Sequence, residues 1–362
     1  MKKRVKFGER WVGENEPCYV ISEIGSNFDG TLEGARKLVD LSVEVGADCV
    51  KFQSFLPEKI IAKGGFENRL GFQRNWEKSV WQVYSEASFP RHWHRDVAEY
   101  ANEKGIQFSS SPYDREAVDL LMELDVPFIK IGSGEITNHE FLKYIARTNK
   151  PLILGTGAST IADVAEAVEA IVSTGNDKLV LLQCITNYPS AFENSNIRAM
   201  VTMRETFGCG VGYSDHTPGS IVPIAAVALG AGVIEKHFTH DTHATGPDHP
   251  FAMNVETMRE MVRGIRTLER ALGSPQKFVT ADEQETVIIQ RRSLFTTRSI
   301  PKGTSLTAEM LEPLRPAIGV APKYASFVVG MVVQRDLGEG EPLTWEALST
   351  GTSSAKAAGP SI

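Results

Sequence analysis

A chain of 362 residues that is 42% hydrophobic exceeds one average domain and predicts a large domain with a sizeable core plus a small one. A formal net charge of −7 argues against nucleic acid or acidic membranes as main partners. The basic opening MKKRVKFGER has no apolar stretch behind it and no run is long enough to span a bilayer, so the sequence predicts a cytoplasmic protein without signal peptide or membrane span.

In chain order, eight short apolar runs recur: YVISEIG (19–25), CVKFQS (49–54), IQFSSSP (106–112), FIKIGSG (128–134), LILGTG (152–157), LVLLQC (179–184), GVGYSDH (210–216) and VIEKHFT (233–239). Stretches such as TLEGARKLVDLSVEVG and TIADVAEAVEAIVSTG between them have helical periodicity and often finish on Gly. Strands covered on both faces read as continuous apolar runs. Eight strand-helix units in about 250 residues predict an α/β fold, a (β/α)8 TIM barrel over residues 1–280. Cys18, Cys49, Cys184 and Cys209 lie in or beside these runs with no C-x-x-C, and read as reduced structural thiols.

Past Gly273 the pattern changes. RRSLFTTRSIPKGTSLTAEMLEPLRP (291–316) and VVGMVVQRDLGEGEPLTWEAL (328–348) have short strand-like pieces and Pro/Gly turns, predicting a compact β-rich domain over 290–349. The small, polar tail 350–362 reads as disordered.

In such a barrel, chemistry sits where the strands end, so the polar residues closing each run are the candidates. Lys51 and Lys130 end the second and fourth runs with Ser111 and Ser133 beside them, a cradle for phosphate or carboxylate. His216 and His237 end the seventh and eighth. Neighbouring strands lie about 5 Å apart, so both imidazoles can reach one divalent ion, with Asp215 and Glu235 beside them. Mn²⁺, Fe²⁺ or Zn²⁺ would suit two histidines plus oxygens. His240, His243 and His249 fall in the loop that follows and read as solvated or substrate-facing. A phosphate cradle, a Lewis acid and rim carboxylates together suit carbon–carbon bond formation between a phosphorylated donor and an aldehyde.

The ordered motifs EIGSN (23–27), KFQS (51–54), SSPYD (110–114), KIGSGE (130–135), GYSDHT (212–217), EKHFT (235–239), GPDHPFAM (246–253) and LRP (314–316) resemble the sialic acid synthase family. The resemblance implies an enzyme, a transferase that condenses phosphoenolpyruvate with an N-acetylated mannose-type sugar to a nine-carbon 2-keto acid. It also implies that the small domain is of the antifreeze-like (SAF) type. By this resemblance His216 and His237 hold the divalent metal, manganese first and magnesium or cobalt as the other choices. Lys51, Ser111, Lys130, Ser133 and Ser214 bind phosphoenolpyruvate; Gln53, Asn75, Glu135, Tyr188 and Asp248 meet the sugar; Glu23 is the catalytic carboxylate. Arg315 is implied to reach the partner's site in a domain-swapped homodimer. Three positions depart from the pattern: Phe28 replaces a histidine, Gly155 a serine, and Gln183 a second histidine. KFQSF and SGEITN are closer to the legionaminate branch, WHRDVAEYANEKGI and RRSLF to pseudaminate enzymes, so the sugar stays open. Two rival readings are a metal-dependent keto-acid aldolase or lyase, and an inactive sugar-binding barrel.

Overall fold

In the computed structural model, the described residues are 1–62, 64, 65, 69 and 71–350, with the side chains of Phe72 and Asn75 left aside. The chain divides into two compact units, Met1–Gly273 and Ser274 onward. The predicted tail from 351 and the Asn75 side chain lie outside the described residues.

Among the described residues the first unit holds eight parallel strands: β1 (Tyr19–Glu23), β2 (Cys49–Ser54), β3 (Gln107–Pro112), β4 (Ile129–Ile131), β5 (Leu152–Gly155), β6 (Leu179–Cys184), β7 (Gly210–Asp215) and β8 (Val233–His237). Their hydrogen-bonded order is β3-β2-β1-β8-β7-β6-β5-β4. The β3–β4 seam that closes the barrel is crossed by Ser109 Oγ, which donates to Phe128 O at 2.8 Å. The fold is the expected TIM barrel.

Helices follow each strand and cover the barrel's outer face. The first, Leu32–Val45, starts where Thr31 Oγ1 accepts from Gly34 N and stops at Gly46, whose φ of 81° is left-handed. Its Ala35, Leu38, Val39, Ser42 and Val45 recur at helical spacing and are buried. The last, Val255–Leu272, is capped by Asn254 and buries Met258, Met261, Val262 and Ile265 in the same cluster.

Alternate strand residues face the interior, because the side-chain period of a strand is two. Tyr19, Ile21, Cys49, Phe128, Ile153, Val180, Leu182 and Val233 fill the lower interior. They pack with Val5, Phe7 and Val12 of an antiparallel hairpin, Arg4–Phe7 with Arg10–Gly13, that plugs the barrel at its N-terminal end. The Phe7 ring lies 4.6 Å from Phe128 and 5.3 Å from Tyr19. Strands of four residues with two or three apolar positions give too weak a period to be seen in sequence. All four cysteines are buried and free, as read from their settings.

The second unit has a core of Leu294, Ile300, Leu306, Met310, Val320, Val328, Val333, Leu337, Leu343 and Ala347. Two of its segments are alike in sequence, RSIPKGTSLTAEML (298–311) and RDLGEGEPLTWEAL (335–348). The likeness is structural: Ile300 and Leu337 exchange backbone hydrogen bonds, 2.9 Å in each direction, and each segment ends in a one-turn helix, Ala308–Met310 and Trp345–Ala347.

Candidate active site

The interior alternation that buries apolar residues low in the barrel turns polar toward the strand C-termini. Glu23, Lys51, Ser111, Lys130, Ser214, Glu235, His216 and His237 are all buried there. Lys51 Nζ pairs with Glu23 Oε2, donates to Ser111 Oγ at 3.0 Å and lies 3.6 Å from Glu235 Oε2. Lys130 Nζ is 3.3 Å from Glu235 Oε1, which also accepts from Ser214 Oγ at 2.8 Å. Glu235 thus joins the two lysines. Sequence alone places it beside the metal instead, because only the closed barrel shows that β8 faces both β2 and β4.

The two carboxyls are driven apart. Burial raises the Glu23 pKa, Lys51 opposes that, and Glu235 adds to it, so Glu23 titrates well above the usual carboxylate range. Burial would raise Glu235 too, but Lys130 and Lys51 outweigh it and keep it ionised. Two adjacent carboxyls with opposed shifts are an arrangement in which one site can separate the tasks of acid and base.

His216 and His237 come together as expected, with ring centroids 5.4 Å apart. His216 Nδ1 lies 2.7 Å from Ile185 O, so that nitrogen carries the hydrogen and Nε2 keeps its lone pair. His237 Nδ1 is buried without a hydrogen-bond partner. Burial lowers both pKa values, His216 to about 4, leaving neutral rings. Neutral imidazoles with free lone pairs fit a divalent ion. The carboxylates expected beside them do not join: Asp215 is taken by Lys236 and by Thr217, whose Oγ1 donates at 2.8 Å. Asp215 alternates with Ser214 and His216, so it points out of the barrel.

Gln53, Glu135, Tyr188, His237 and Asp248 line one cavity of about 750 Å³, with Phe55, Ile61, Trp76, Tyr84, Tyr113 and Phe251 in its wall. Gln53 Nε2 donates to Glu23 Oε1 at 2.8 Å, linking cavity to cradle. Asp248 Oδ2 accepts from both Ser26 N and Ser26 Oγ at 2.9 Å. The chain can pass there only as Gly25: its φ is +52° and a Cβ would stand 2.4 Å from Asp248 Oδ2. Ser133 Oγ meets Cys184 Sγ at 3.1 Å and accepts from Gly157 N at 3.0 Å. The apolar cavity wall escapes sequence reasoning because much of it comes from the irregular stretch after β2, including a helix, Val80–Ala87, with a Ser79–Gln82 capping box. Arg315 belongs to the second unit, exposed, with Nε donating to Gln290 O at 2.9 Å. Of the loop histidines, His243 is exposed as expected, whereas His249 is buried and His240 pairs with Asp29.

Residues 38–277 match the NeuB family and residues 291–349 the SAF domain. The chain belongs to the NeuB family. N,N'-diacetyllegionaminic acid synthase of Legionella pneumophila is 37% identical, over 92% of this chain and 95% of its own length. Pseudaminic acid synthase of Campylobacter jejuni is 33% identical, over 91% and 96%. The solved structure of spore coat polysaccharide biosynthesis protein spsE from Bacillus subtilis superposes with a TM-score of 0.65 at 33% identity, over 96% of this chain and 99% of that one. Like its NeuB relatives named as synthases, this chain is an enzyme.

The three departures have plain structural roles in this NeuB chain. Phe28 is buried edge-on against Phe89 and Trp93, at 5.2 and 6.2 Å. A Cβ on Gly155 would stand 2.7 Å from Ser133 Oγ, so glycine leaves that hydroxyl its place. Gln183 lies on the outward phase of β6 and its Nε2 donates to Ser195 O at 3.3 Å.

Proposed function

We propose that this chain condenses phosphoenolpyruvate with an N-acetylated mannose-type sugar to give a nine-carbon 2-keto sugar acid and phosphate. The observation that carries the proposal is two buried ammonium groups, Lys51 with the Ser111 hydroxyl and Lys130 beside Glu235, linked through Gln53 to a cavity of about 750 Å³. Lys51 and Lys130, with Ser111, Ser133 and Ser214, would hold the phosphate and carboxylate of phosphoenolpyruvate. Gln53, Glu135, Tyr188 and Asp248 would hold the sugar, and Asn75 is proposed to join them. The apolar wall of Phe55, Ile61, Trp76 and Phe251 favours methyl-bearing sugars, so a diacetamido 6-deoxy hexose is the preferred acceptor.

His216 and His237 would hold a divalent cation, manganese by preference, which when bound polarises the sugar aldehyde. C3 of phosphoenolpyruvate bonds to the aldehyde carbon, whose oxygen gains a proton, while water adds to C2. Glu23 takes the proton from that water, as its raised pKa suits a base working near neutrality. The C2–O bond to phosphate then breaks, phosphate leaves with its electron pair, and the C2 hydroxyl releases its proton as the carbonyl forms, which balances the proton gained by the aldehyde oxygen. The test is phosphate release with a panel of sugars: release should need both phosphoenolpyruvate and an N-acetylated mannose-type hexose, fastest with the diacetamido 6-deoxy compounds. Release with no sugar of this type would refute the proposal.

The carboxyl pair gives a signed pH effect. If Glu23 must be ionised, activity rises with pH through its pKa. Glu235→Gln removes the neighbouring negative charge and frees the lysines to stabilise ionised Glu23. The acid limb of kcat/KM should therefore move to lower pH, and a limb that stays or moves up counts against this role.

Arg315 is proposed to act across a domain-swapped homodimer, its guanidinium offering five donors to the sugar's carbonyl or hydroxyls. Mixing inactive His216→Ala with inactive Arg315→Ala subunits should restore one intact site of the two in each heterodimer. No recovery after verified exchange would place Arg315 in its own chain's site or in none.

A further inference from the structure

Asp29, on the turn after β1, and His240 and His249, on the loop after β8, converge apart from the His216–His237 pair. Their ligand atoms lie within 4.8 Å of one another. Asp29 Oδ2 is 3.3 Å from His240 Nε2 and Asp29 Oδ1 is 3.2 Å from His249 Nε2. Around a tetrahedral ion with bonds of about 2.0–2.1 Å, neighbouring ligand atoms stand about 3.3 Å apart.

The hydrogen bonding at His249 points to a cation. Thr239 Oγ1 donates to Asp241 O at 3.1 Å and accepts from Asp241 N at 3.1 Å. With that hydrogen on Asp241 O, the hydroxyl accepts from His249 Nδ1, 2.6 Å away. In that tautomer Nε2 presents a lone pair to the Asp29 carboxylate. His249 is fully buried and that Nε2 has no hydrogen-bond partner among the described residues. Two acceptors facing each other at 3.2 Å repel unless a positive charge lies between them. Metal-ligating histidines are oriented by an acceptor on their other ring N–H, and Thr239 Oγ1 stands at that place here.

We infer that Asp29, His240 and His249 form a second divalent-cation site, of zinc type, that clamps the loop after β1 to the loop after β8. Three protein ligands leave a fourth position for water on the exposed Asp29 side. Both loops also carry the Ser26–Asp248 contact at the cavity. The clamp therefore holds Asp248 in place from outside the cavity. The inference does not rest on the proposed reaction.

The test uses the full-length chain, stripped of metal and titrated with Zn²⁺ alone against a chromophoric chelator. To separate the sites, His216→Ala/His237→Ala is the parent. The parent should bind one equivalent of zinc with an accompanying rise in Tm. Adding Asp29→Asn or His240→Ala should abolish that equivalent, or weaken it at least about 100-fold, and remove the rise in Tm. Both added changes are at positions with solvent access, and the apo Tm reports whether the fold survives. A parent that binds no zinc overturns the inference, and so does an Asp29→Asn derivative that is folded and binds as the parent does.

Discussion

His216→Ala and His237→Ala should each reduce turnover about a thousandfold or more while the far-ultraviolet circular dichroism and Tm stay close to those of the parent. Each ring is buried at a strand C-terminus with a lone pair free for an ion, and among the described residues neither holds an ion-pair partner that would be stranded by its loss. Removing a Lewis acid from a developing alkoxide forfeits several kcal/mol of stabilisation, which is the origin of that factor. The loss should be in kcat more than in either KM, since the proposed ion would act on charge that develops during reaction. His243→Ala, at an exposed position, serves as the control and should leave activity unchanged. Full activity in either strand-end variant, measured after stripping and reloading with Mn²⁺, would show that the pair does not hold the working metal.

Lys130→Met should raise the KM for phosphoenolpyruvate about 10- to 150-fold, with a much smaller change in the KM for the sugar. Removing a charge-assisted hydrogen bond from a desolvated site costs roughly 1.5–3 kcal/mol. The structure adds a second reason. Lys130 neutralises Glu235 at 3.3 Å, so its loss leaves a buried carboxylate facing the anionic substrate. Part of the defect should then be recovered in Lys130→Met/Glu235→Gln, which removes that charge as well. If steady-state kinetics show the sugar KM alone to be affected, the lysine pair does not hold phosphoenolpyruvate.

The barrel was legible because its strands are buried on both faces, so that LVLLQC and CVKFQS stand out as runs rather than as alternations. The strand-end residues were legible for the same reason: a lysine or histidine closing such a run has only the rim to occupy. Partners across the barrel were not legible. Glu235 meets Lys51 from β2 and Lys130 from β4, pairings that depend on closure and that no spacing along the chain encodes. Asp215 is the instructive error. Strand alternation places it out of phase with Ser214 and His216, and β8 brings Lys236 opposite it. Applying the period of two to GYSDH would have removed it from the metal's neighbourhood. The same alternation sends Gln183, one of the three departures from the family pattern, outward from the barrel interior. The burial of His249 was not legible for a different reason: it is bound by Thr239, ten residues earlier, through a fold of the loop that has no periodic signature.

The central claim is that the cavity joins phosphoenolpyruvate to a sugar aldehyde with loss of phosphate from carbon. Phosphoenolpyruvate carrying ¹⁸O at the oxygen between C2 and phosphorus tests it most directly, incubated with N-acetylmannosamine or a diacetamido 6-deoxy analogue and followed by mass spectrometry. The account predicts a nine-carbon 2-keto acid without the label and one equivalent of phosphate that carries it. Label retained on the organic product, or pyruvate released with no carbon–carbon bond formed, would contradict it.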